Sequence, residues 1–404
     1  MQKGLVNFFE NFLKKESLFK NKKALQSNYI PESIHHRDEQ IDQIAKILAP
    51  TLKQDTPSNL FVYGKTGTGK TLSVKYVLEQ IMEVSMKKEI PIKSVYINCK
   101  MKKVADTEYR LIAQLAREFG KAIPPTGLPT DEVYKSFFSA IDVEKTTIIL
   151  ILDEIDQLVK KAGDEILYNL TRINSELKNS QISLIGISND LVFVDNLDPR
   201  IKSSLSEEEI IFPPYNAIQL QQILRERAIL AFKDNIVGEG VIEKCSAYAA
   251  REHGDARRAL ELLRVSAEVA ERENNEKIEI NHIDLAEDKI EKERVLEIGS
   301  TQPKQTQTIL YSVFVLSLNN NQNIATGEIY DVYKKLCYKF NMRPLTLRRV
   351  SDIIGELEMF GIITTKTISK GRYGRTREIS LIAAQNLQTG IKKILEESLE
   401  INNG

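Results

Sequence analysis

Short, largely apolar runs alternate with helically spaced apolar residues in the first half of the chain. The runs at 60–63, 148–152 and 182–187 each have the length of one strand. Because they lack a strict polar alternation, they are typical of strands buried on both faces of a parallel sheet. The segment after the first run has helical periodicity, with apolar residues at Leu72, Val74, Val77, Leu78 and Ile81. The pattern predicts an α/β core with a parallel sheet.

The apolar spacing becomes purely helical after residue 212. The Phe-Pro-Pro-Tyr run at 212–215 leads into a segment whose apolar face contains Ile218, Ile223 and Leu224. Another helix is expected to begin after Gly254, with Asp255 as its N-cap. These features predict a small all-α lid domain after the core.

A third pattern begins near residue 300. It consists of three predicted helices and a hairpin, at 309–316, 327–340, 346–360 and 362–381. Three helices followed by a hairpin form a winged helix-turn-helix, in which 346–360 is the recognition helix.

The patterns divide the chain into five predicted parts. They are an N-terminal segment at 1–27, the α/β core at 28–211, the lid at 212–298, the winged helix at 299–390 and a tail at 391–404. The first segment combines helically spaced apolar residues at 5–13 with a basic flank. Such a helix could contact a membrane or a partner. The favoured alternative is that it docks on its own protein or frays.

Composition narrows the class of protein. The 404 residues include 56 basic and 56 acidic side chains, so any basic site for nucleic acid must be local. The three cysteines match no metal-binding spacing and are interpreted as buried, reduced thiols of an intracellular, cytoplasmic protein. No apolar run has the length of a membrane span, and we expect no membrane partner.

The strongest chemical signal is the sequence G-K-T-G-T-G-K-T directly after the first apolar run. It has the spacing of a phosphate loop between a strand and a helix, which a glycine-rich turn without a ligand rarely reproduces. Lys70 would contact the β- and γ-phosphates, and the Thr71 hydroxyl would bind Mg²⁺. The predicted nucleotide-binding residues of the loop are Gly64, Lys65, Thr66, Gly67, Thr68, Gly69, Lys70, Thr71 and Leu72.

Two carboxylates follow the aliphatic run at 148–152. Asp153 is predicted to hold Mg²⁺, and Glu154 to polarise the attacking water. Asp156 is expected to cap a helix or to pair locally. Asn189, at the end of the next strand, either hydrogen-bonds the γ-phosphate or water, or begins a turn.

Two arginines have alternative interpretations. Arg200 could be a salt-bridged helix residue or an arginine finger that reaches the γ-phosphate of a neighbouring subunit. Arg257 lies in the first turn of a lid helix, where the helix dipole disfavours a cation. This position suggests that Arg257 contacts a phosphate.

Several ordered motifs together resemble one known family. They are Asn28–Pro31 with His36–Asp38, the phosphate loop, Val95–Cys99, Leu152–Asp156 and Gly254–Arg257. Over about 28–385 the chain is similar to the archaeal origin-recognition initiators, a branch of the AAA+ ATPases. The resemblance implies ATP or ADP and Mg²⁺ as cofactors.

The resemblance also implies roles for individual residues. Those near the adenine or in the lid close to the nucleotide would be Tyr29, Ile30, Arg37, Tyr215 and Arg227. Asn189 would be sensor 1 and Arg257 sensor 2, while Arg200 matches the finger position. The family also has a helical insertion that contacts DNA, which here corresponds to 100–135.

Local charge favours DNA binding by the winged helix. Between Arg343 and Arg377 there are eight basic and three acidic residues, and the hairpin contains no acid between Lys366 and Arg377. Such a wing suits the phosphate backbone or the minor groove. The alternative is a solvated hairpin on a protein-binding winged helix. The predicted DNA-binding residues are Arg343, Arg348, Arg349, Lys366, Lys370, Arg372, Tyr373, Arg375 and Arg377.

The resemblance, together with the predicted nucleotide site and basic winged helix, implies a replication initiator whose slow ATP hydrolysis acts as a switch. Its expected partners are double-stranded origin DNA, the replicative minichromosome-maintenance helicase and other initiator paralogues on DNA. It would be associated with the nucleoid. Two alternatives remain open, a clamp-loader or motor-type AAA+ ATPase and a nucleotide-gated transcription regulator.

Overall fold

The computed structural model describes most of the chain between residues 16 and 399. The described residues are 16–27, 29–31, 33–100, 107–124, 127–193, 195, 197–205, 207–318, 324–359, 361–369, 375–381, 392 and 395–399. They form two compact units. One contains Lys23–Ala228 and Ser246–Leu260, and the other contains the described parts of 1–22, Ile229–Cys245 and 261–404.

A parallel sheet forms the centre of the first unit. Its strands are β1 (Leu60–Gly64), β2 (Ile92–Asn98), β3 (Thr147–Asp153), β4 (Gln181–Ser188) and β5 (Glu208–Phe212). The strand order is β2-β3-β4-β1-β5, and every neighbouring pair is parallel. All seven residues of β3 are buried, as the aliphatic run predicts.

Helices cover both faces of this sheet. In chain order they are α1 (Asp38–Leu48), α2 (Lys70–Lys88), α3 (Glu108–Glu118), α4 (Thr130–Ile141), α5 (Ile155–Ala162), α6 (Glu165–Thr171) and α7 (Pro199–Leu205). One apolar core includes Ile44 and Val74, and the core on the opposite face includes Leu111 and Phe137. The helix–loop–helix expected within 100–135 therefore corresponds to α3 and α4, which pack on the sheet.

The chain is helical after β5. The helices are α8 (Ala217–Ala231), α9 (Val241–Arg251), α10 (Ala256–Arg272) and α11 (Ile280–Thr301). Within the second unit, residues 16–22 dock on these helices. The backbone N–H of Lys20 donates to Ala231 O at 2.7 Å, and the Lys22 ammonium lies 2.9 Å from a Glu268 carboxylate oxygen. The predicted amphipathic helix at 5–13 lies outside the described residues.

The C-terminal part is a winged helix. Its elements are α12 (Lys304–Leu318), β6 (Ile324–Ala325), α13 (Thr326–Lys339), α14 (Leu347–Met359), β7 (Ile363–Ser369) and β8 (Arg375–Leu381). The three predicted helices and the hairpin are present. β6 adds a third antiparallel strand beside β8, which the sequence pattern missed because two residues carry no periodicity.

The winged-helix core extends beyond the predicted domain limit at residue 390. Leu395 and Leu399 pack in one cluster with Phe314 and Leu357. In addition, the Tyr311 hydroxyl donates to Glu396 at 2.7 Å. Residues that the sequence pattern assigned to a separate tail therefore contribute to this core.

Candidate nucleotide site and nucleic-acid interface

The phosphate loop joins β1 to α2 and requires glycine at two positions. Gly67 and Gly69 have φ angles of 70° and 93°, in the left-handed region that favours glycine. A Cβ at Gly67 would overlap the carboxylate of Asp255, and a Cβ at Gly69 would lie 2.8 Å from the Tyr215 hydroxyl. Residues from beyond β5 therefore pack directly on the loop.

Lys70 is buried at the centre of this loop. Its ammonium donates to the carbonyls of Gly64 and Lys65, each at 2.8 Å, and to Asn189 Oδ1 at 2.9 Å. Burial lowers the pKa of Lys70 to about 8, and the nearby Asp153 carboxylate partly offsets this effect. Asn189, directly after β4, therefore lies beside Lys70 of the loop.

Three donors converge on the carboxylate of Asp153, which is 6% exposed. Asp153 Oδ2 accepts from the Thr71 hydroxyl at 3.0 Å and from the Tyr96 hydroxyl at 2.6 Å. Asp153 Oδ1 accepts from the backbone N–H of Glu154 at 3.0 Å. A hydroxyl and a carboxylate held side by side suit Mg²⁺, which prefers oxygen ligands. Thr71 and Asp153 are therefore suitable ligands for this ion.

Glu154 and Asp156 follow β3 but differ in environment. Glu154 has a left-handed backbone with φ of 56°, and its carboxylate lies 3.7 Å from the Lys100 ammonium. Asp156 is 1% exposed and accepts from the Ser188 hydroxyl at 3.1 Å and from Gln157 Nε2 at 2.8 Å. Asp156 therefore pairs locally, as predicted, while Glu154 remains the candidate for activating water.

Arg37 is an almost fully buried arginine beside the phosphate loop. It is 2% exposed and donates to the carbonyls of Thr68, His36 and Pro213 at 2.6–3.0 Å. Its guanidinium lies 3.8 Å from the ring centroid of Tyr215. In this structure Arg37 therefore links the phosphate loop to the segment after β5.

The predicted adenine-side residues Tyr29 and Ile30 are close to Arg227. Arg227 donates to the Tyr29 carbonyl at 3.4 Å and to the Ala24 carbonyl at 3.2 Å, and its guanidinium lies 4.5 Å from the centroid of the Tyr29 ring. Ile30 is 43% exposed. Arg227 thereby fixes the segment that carries Tyr29 and Ile30.

Asp255 caps α10, as predicted, and also brings Arg257 to the site. Asp255 Oδ1 accepts from the backbone N–H of Arg257 at 2.7 Å, and Ala256 N–H donates to Gly67 O at 3.2 Å. The charge of Arg257 contributes to the lowered pKa of Lys70, so the two cations are within electrostatic range. The exposed Arg257 side chain is thus positioned beside the phosphate loop.

Arg200 has a different environment from the other predicted residues. It is exposed on α7, and its guanidinium forms two hydrogen bonds to the carboxylate of Asp198, at 3.0 and 3.1 Å. Both interpretations from the sequence remain compatible with this geometry, because a surface ion pair costs little to break.

The winged helix presents basic residues on α14 and the hairpin. Arg343, Arg348 and Lys366 are exposed, whereas Arg349 lies 3.4 Å from Glu356 and 3.9 Å from Asp352. Arg377 is partly buried on β8, close to Gly355 of α14. Lys370, Arg372 and Tyr373 lie outside the described residues, and for Arg375 only the backbone is described.

Comparison with protein families matches three successive parts of the chain. Residues 53–192 match an AAA domain, residues 221–288 the Cdc6 AAA+ ATPase-type lid domain, and residues 297–387 the CDC6 C-terminal winged helix domain. The chain is 52% identical over 384 residues to the ORC1-type DNA replication protein of Pyrococcus abyssi, covering 94% of this chain and 91% of that protein. The chain belongs to the family of ORC1-type DNA replication proteins.

Further relatives agree with this assignment. ORC1-type DNA replication protein 1 of Archaeoglobus fulgidus is 52% identical over 398 residues, which cover 98% of this chain and 95% of that protein. The solved structure of the Aeropyrum pernix ORC1 protein in complex with DNA has a TM-score of 0.77 and 40% identity, over 96% of this chain and 98% of that one. The resemblance and the fold class predicted from the sequence are therefore confirmed.

A more distant structure shows the same fold. The Aeropyrum pernix ORC2 protein, solved as ADPNP-ADP complexes, has a TM-score of 0.64 and 19% identity over 96% of this chain and all of that one. Within the described residues of the ORC1-type chain, every helix is too short or too polar to cross a membrane.

Sequence reasoning missed two contacts of the site. Tyr96 was recognised only as part of a motif, although its hydroxyl contacts Asp153. Asp255 was predicted as a cap but not as a neighbour of Gly67. Both contacts join segments that are far apart in the chain, so no local pattern reports them.

Proposed function

We propose that this protein is an ATP-dependent replication initiator that binds duplex origin DNA and helps recruit the replicative helicase. The observation that carries the proposal is the convergence of Lys70, Asn189, Thr71 and Asp153 at one end of the sheet, in a chain that also contains a basic winged helix. The 40% identity to an ORC1 protein solved in complex with DNA supports the DNA-binding part. The functional parts would be the core at 28–211, the lid at 212–298 and the winged helix predicted at 299–390, whose core also includes Leu395 and Leu399.

The side chains of the site suit ATP hydrolysis by direct attack of water. Lys70 would contact the β- and γ-phosphates, and Thr71 and Asp153 would hold Mg²⁺, which when bound neutralises charge on the phosphate oxygens. Glu154 would orient the attacking water, and Asn189 would report the γ-phosphate to Lys70. Arg257, in the first turn of α10, would contact a phosphate of the nucleotide as sensor 2.

Hydrolysis would be slow in the isolated protein and would act as a switch. Arg200 would stabilise the transition state only in the ATP site of a neighbouring copy or paralogue on DNA. An isolated chain would therefore have no arginine finger in its own site. We therefore expect a turnover below about 1 s⁻¹, the lower end of common enzyme rates. DNA-stimulated turnover well above that rate would favour a motor or clamp loader instead.

The proposal is tested by measuring DNA affinity under three nucleotide conditions. Fluorescence anisotropy with an origin duplex and a random duplex of equal length would be recorded with ATP, with ADP and without nucleotide. We expect tighter binding of the origin duplex and a dependence on nucleotide that Lys70→Ala removes. Equal affinity for both duplexes under all three conditions would refute the initiator.

Helicase recruitment and cellular location need separate measurements. Purified minichromosome-maintenance helicase should be retained on origin DNA only when this protein is present. In cells, the protein should be found on the nucleoid at replication start regions. Genome-wide footprints that are confined to promoters would instead support a transcription regulator.

A further inference from the structure

Tyr96 and Asp153 lie on one face of the sheet. Strands β2 and β3 are parallel neighbours, and their register pairs Tyr96 with Ile151. Because side chains alternate along a strand, Asp153 has the same orientation as Ile151. The Tyr96 side chain therefore extends diagonally across the strand pair, and its hydroxyl donates to Asp153 Oδ2 at 2.6 Å.

We propose that Tyr96 is a positioning residue that orients the Asp153 carboxylate for Mg²⁺; this inference rests on the proposed ATP site. Asp153 Oδ2 accepts from both Thr71 and Tyr96. Thr71 would itself be a ligand of the ion, so its position depends on the ion. The Tyr96 hydroxyl and the Glu154 N–H, which would not be ligands, place one hydrogen bond on each oxygen of Asp153 and fix the plane of the carboxylate.

The surroundings of Tyr96 indicate that its main contribution is the hydrogen bond of its hydroxyl and not the burial of its ring. Tyr96 is 39% exposed, so it contributes less apolar burial than the core residues of β2. The Lys75 ammonium lies 3.9 Å from the ring centroid and holds the ring in place by a cation–π contact. A hydroxyl-to-carboxylate hydrogen bond of this length is in the charge-assisted, strong class.

Loss of a hydrogen bond to a metal-binding carboxylate lowers metal affinity or activity by about 10- to 100-fold in typical sites. Tyr96→Phe removes only the hydroxyl and keeps the ring. We expect this variant to need about 10- to 100-fold more Mg²⁺ for half-maximal strengthening of ATP binding. Its affinity for ATP in excess EDTA should equal that of the unchanged protein.

The experiment uses the full-length protein and a fluorescent ATP analogue. Affinity would be measured in EDTA and across a Mg²⁺ titration, and bound Mn²⁺ would be counted directly by electron paramagnetic resonance. The matched control is Tyr134→Phe, which removes a 2.7 Å hydrogen bond from Tyr134 to Glu108 elsewhere in the same unit. The control should leave both the EDTA affinity and the Mg²⁺ midpoint unchanged.

The outcomes separate this inference from the function on which it rests. An unchanged Mg²⁺ midpoint in Tyr96→Phe overturns the positioning role and leaves the ATP site intact. An equal loss of affinity with and without Mg²⁺ also overturns it, because that result indicates a structural role. If the unchanged protein binds no ATP, or binds it without any effect of Mg²⁺, the proposed nucleotide site itself fails.

Discussion

The ammonium of Lys70 and the side-chain oxygen of Asn189 are 2.9 Å apart, which connects the phosphate loop after β1 to the end of β4. The two residues are 119 positions apart in the chain, and the parallel pairing of β1 with β4 brings them together. A phosphate bound at Lys70 would therefore be sensed directly by Asn189. The first and third predictions concern Lys70.

Removal of the Lys70 ammonium should abolish measurable nucleotide binding. A charge-assisted hydrogen bond contributes about 1.5–3 kcal/mol, so Lys70→Ala should weaken ATP binding by at least about 10- to 100-fold. Isothermal titration calorimetry would measure the change. The control is Lys87→Ala, because Lys87 is an exposed lysine on the same helix α2. Undiminished ATP affinity in Lys70→Ala would contradict the loop assignment.

Glu154→Gln should retain ATP binding and lose turnover. The substitution keeps the shape of the side chain but removes the carboxylate, and loss of a general base costs about 10²- to 10⁴-fold in rate. Phosphate release and ATP affinity would be measured on the same preparation. Glu165→Gln, an exposed change at the start of α6, is the control. Normal hydrolysis in Glu154→Gln would eliminate this residue as the activating group.

ATP binding should take up a proton above pH 8. Burial lowers the pKa of Lys70 to about 8 in the ligand-free protein, and bound phosphate oxygens would raise it again. Affinity should therefore fall as pH rises, by at most about tenfold per pH unit. Calorimetry in two buffers of different ionisation enthalpy gives the number of protons taken up. Lys87→Ala, at an exposed residue of α2, should preserve this uptake. If the unchanged protein takes up no proton between about pH 8 and 9.5, the prediction is contradicted.

Basic residues of the winged helix should determine the salt dependence of DNA binding. If about five phosphates are contacted, log affinity should fall against log salt with a slope near −4 to −5. Arg348→Ala with Lys366→Ala, or Arg372→Ala with Arg375→Ala, should flatten the slope by about two. Anisotropy titrations at several salt concentrations would measure it.

The control for these variants removes two exposed lysines from the other compact unit. Lys53→Ala with Lys87→Ala should leave the slope unchanged. A slope that stays the same in both winged-helix variants would exclude phosphate contacts by the hairpin and the recognition helix.

Truncation of Leu395 should destabilise the winged helix. Its side chain is 0% exposed within that core, and Leu→Ala at such a site costs about 2–5 kcal/mol. Thermal unfolding of the full chain would measure the loss. Val143→Ala, at a residue that is 71% exposed, should change stability little. Equal melting curves for Leu395→Ala and the unchanged protein would contradict the inclusion of Leu395 in the winged-helix core and would support a domain limit near residue 390.

Features encoded by a few consecutive residues could be predicted from the sequence. The loop from Gly64 to Thr71 and the buried strand β3 were recognised because their signals lie within a few consecutive residues. The contact of Tyr96 with Asp153 depends on strand order, which periodicity does not report. Leu395 was missed for a similar reason, since its core partners, such as Phe314 and Leu357, are far from it in the chain.

Arg37 illustrates a different limit of sequence reasoning. The resemblance implies a position beside the adenine, and the structure adds that its guanidinium donates to three backbone carbonyls. A motif identifies which residues belong to a site. It does not distinguish a side chain that contacts the ligand from one that supports the surrounding backbone.

The pairing of β4 with β1 has a consequence for variants far from any ligand. Tyr63 is aligned with Ser188, and Asn189 follows directly. A slip of β4 by one residue would turn its side chains to the opposite face of the sheet. Lys70 would then lose its amide partner while every residue of the loop stayed in place. The buried aliphatic residues Ile185 and Ile187 favour the observed alignment, so they support the proposed nucleotide site without contributing a polar group to it.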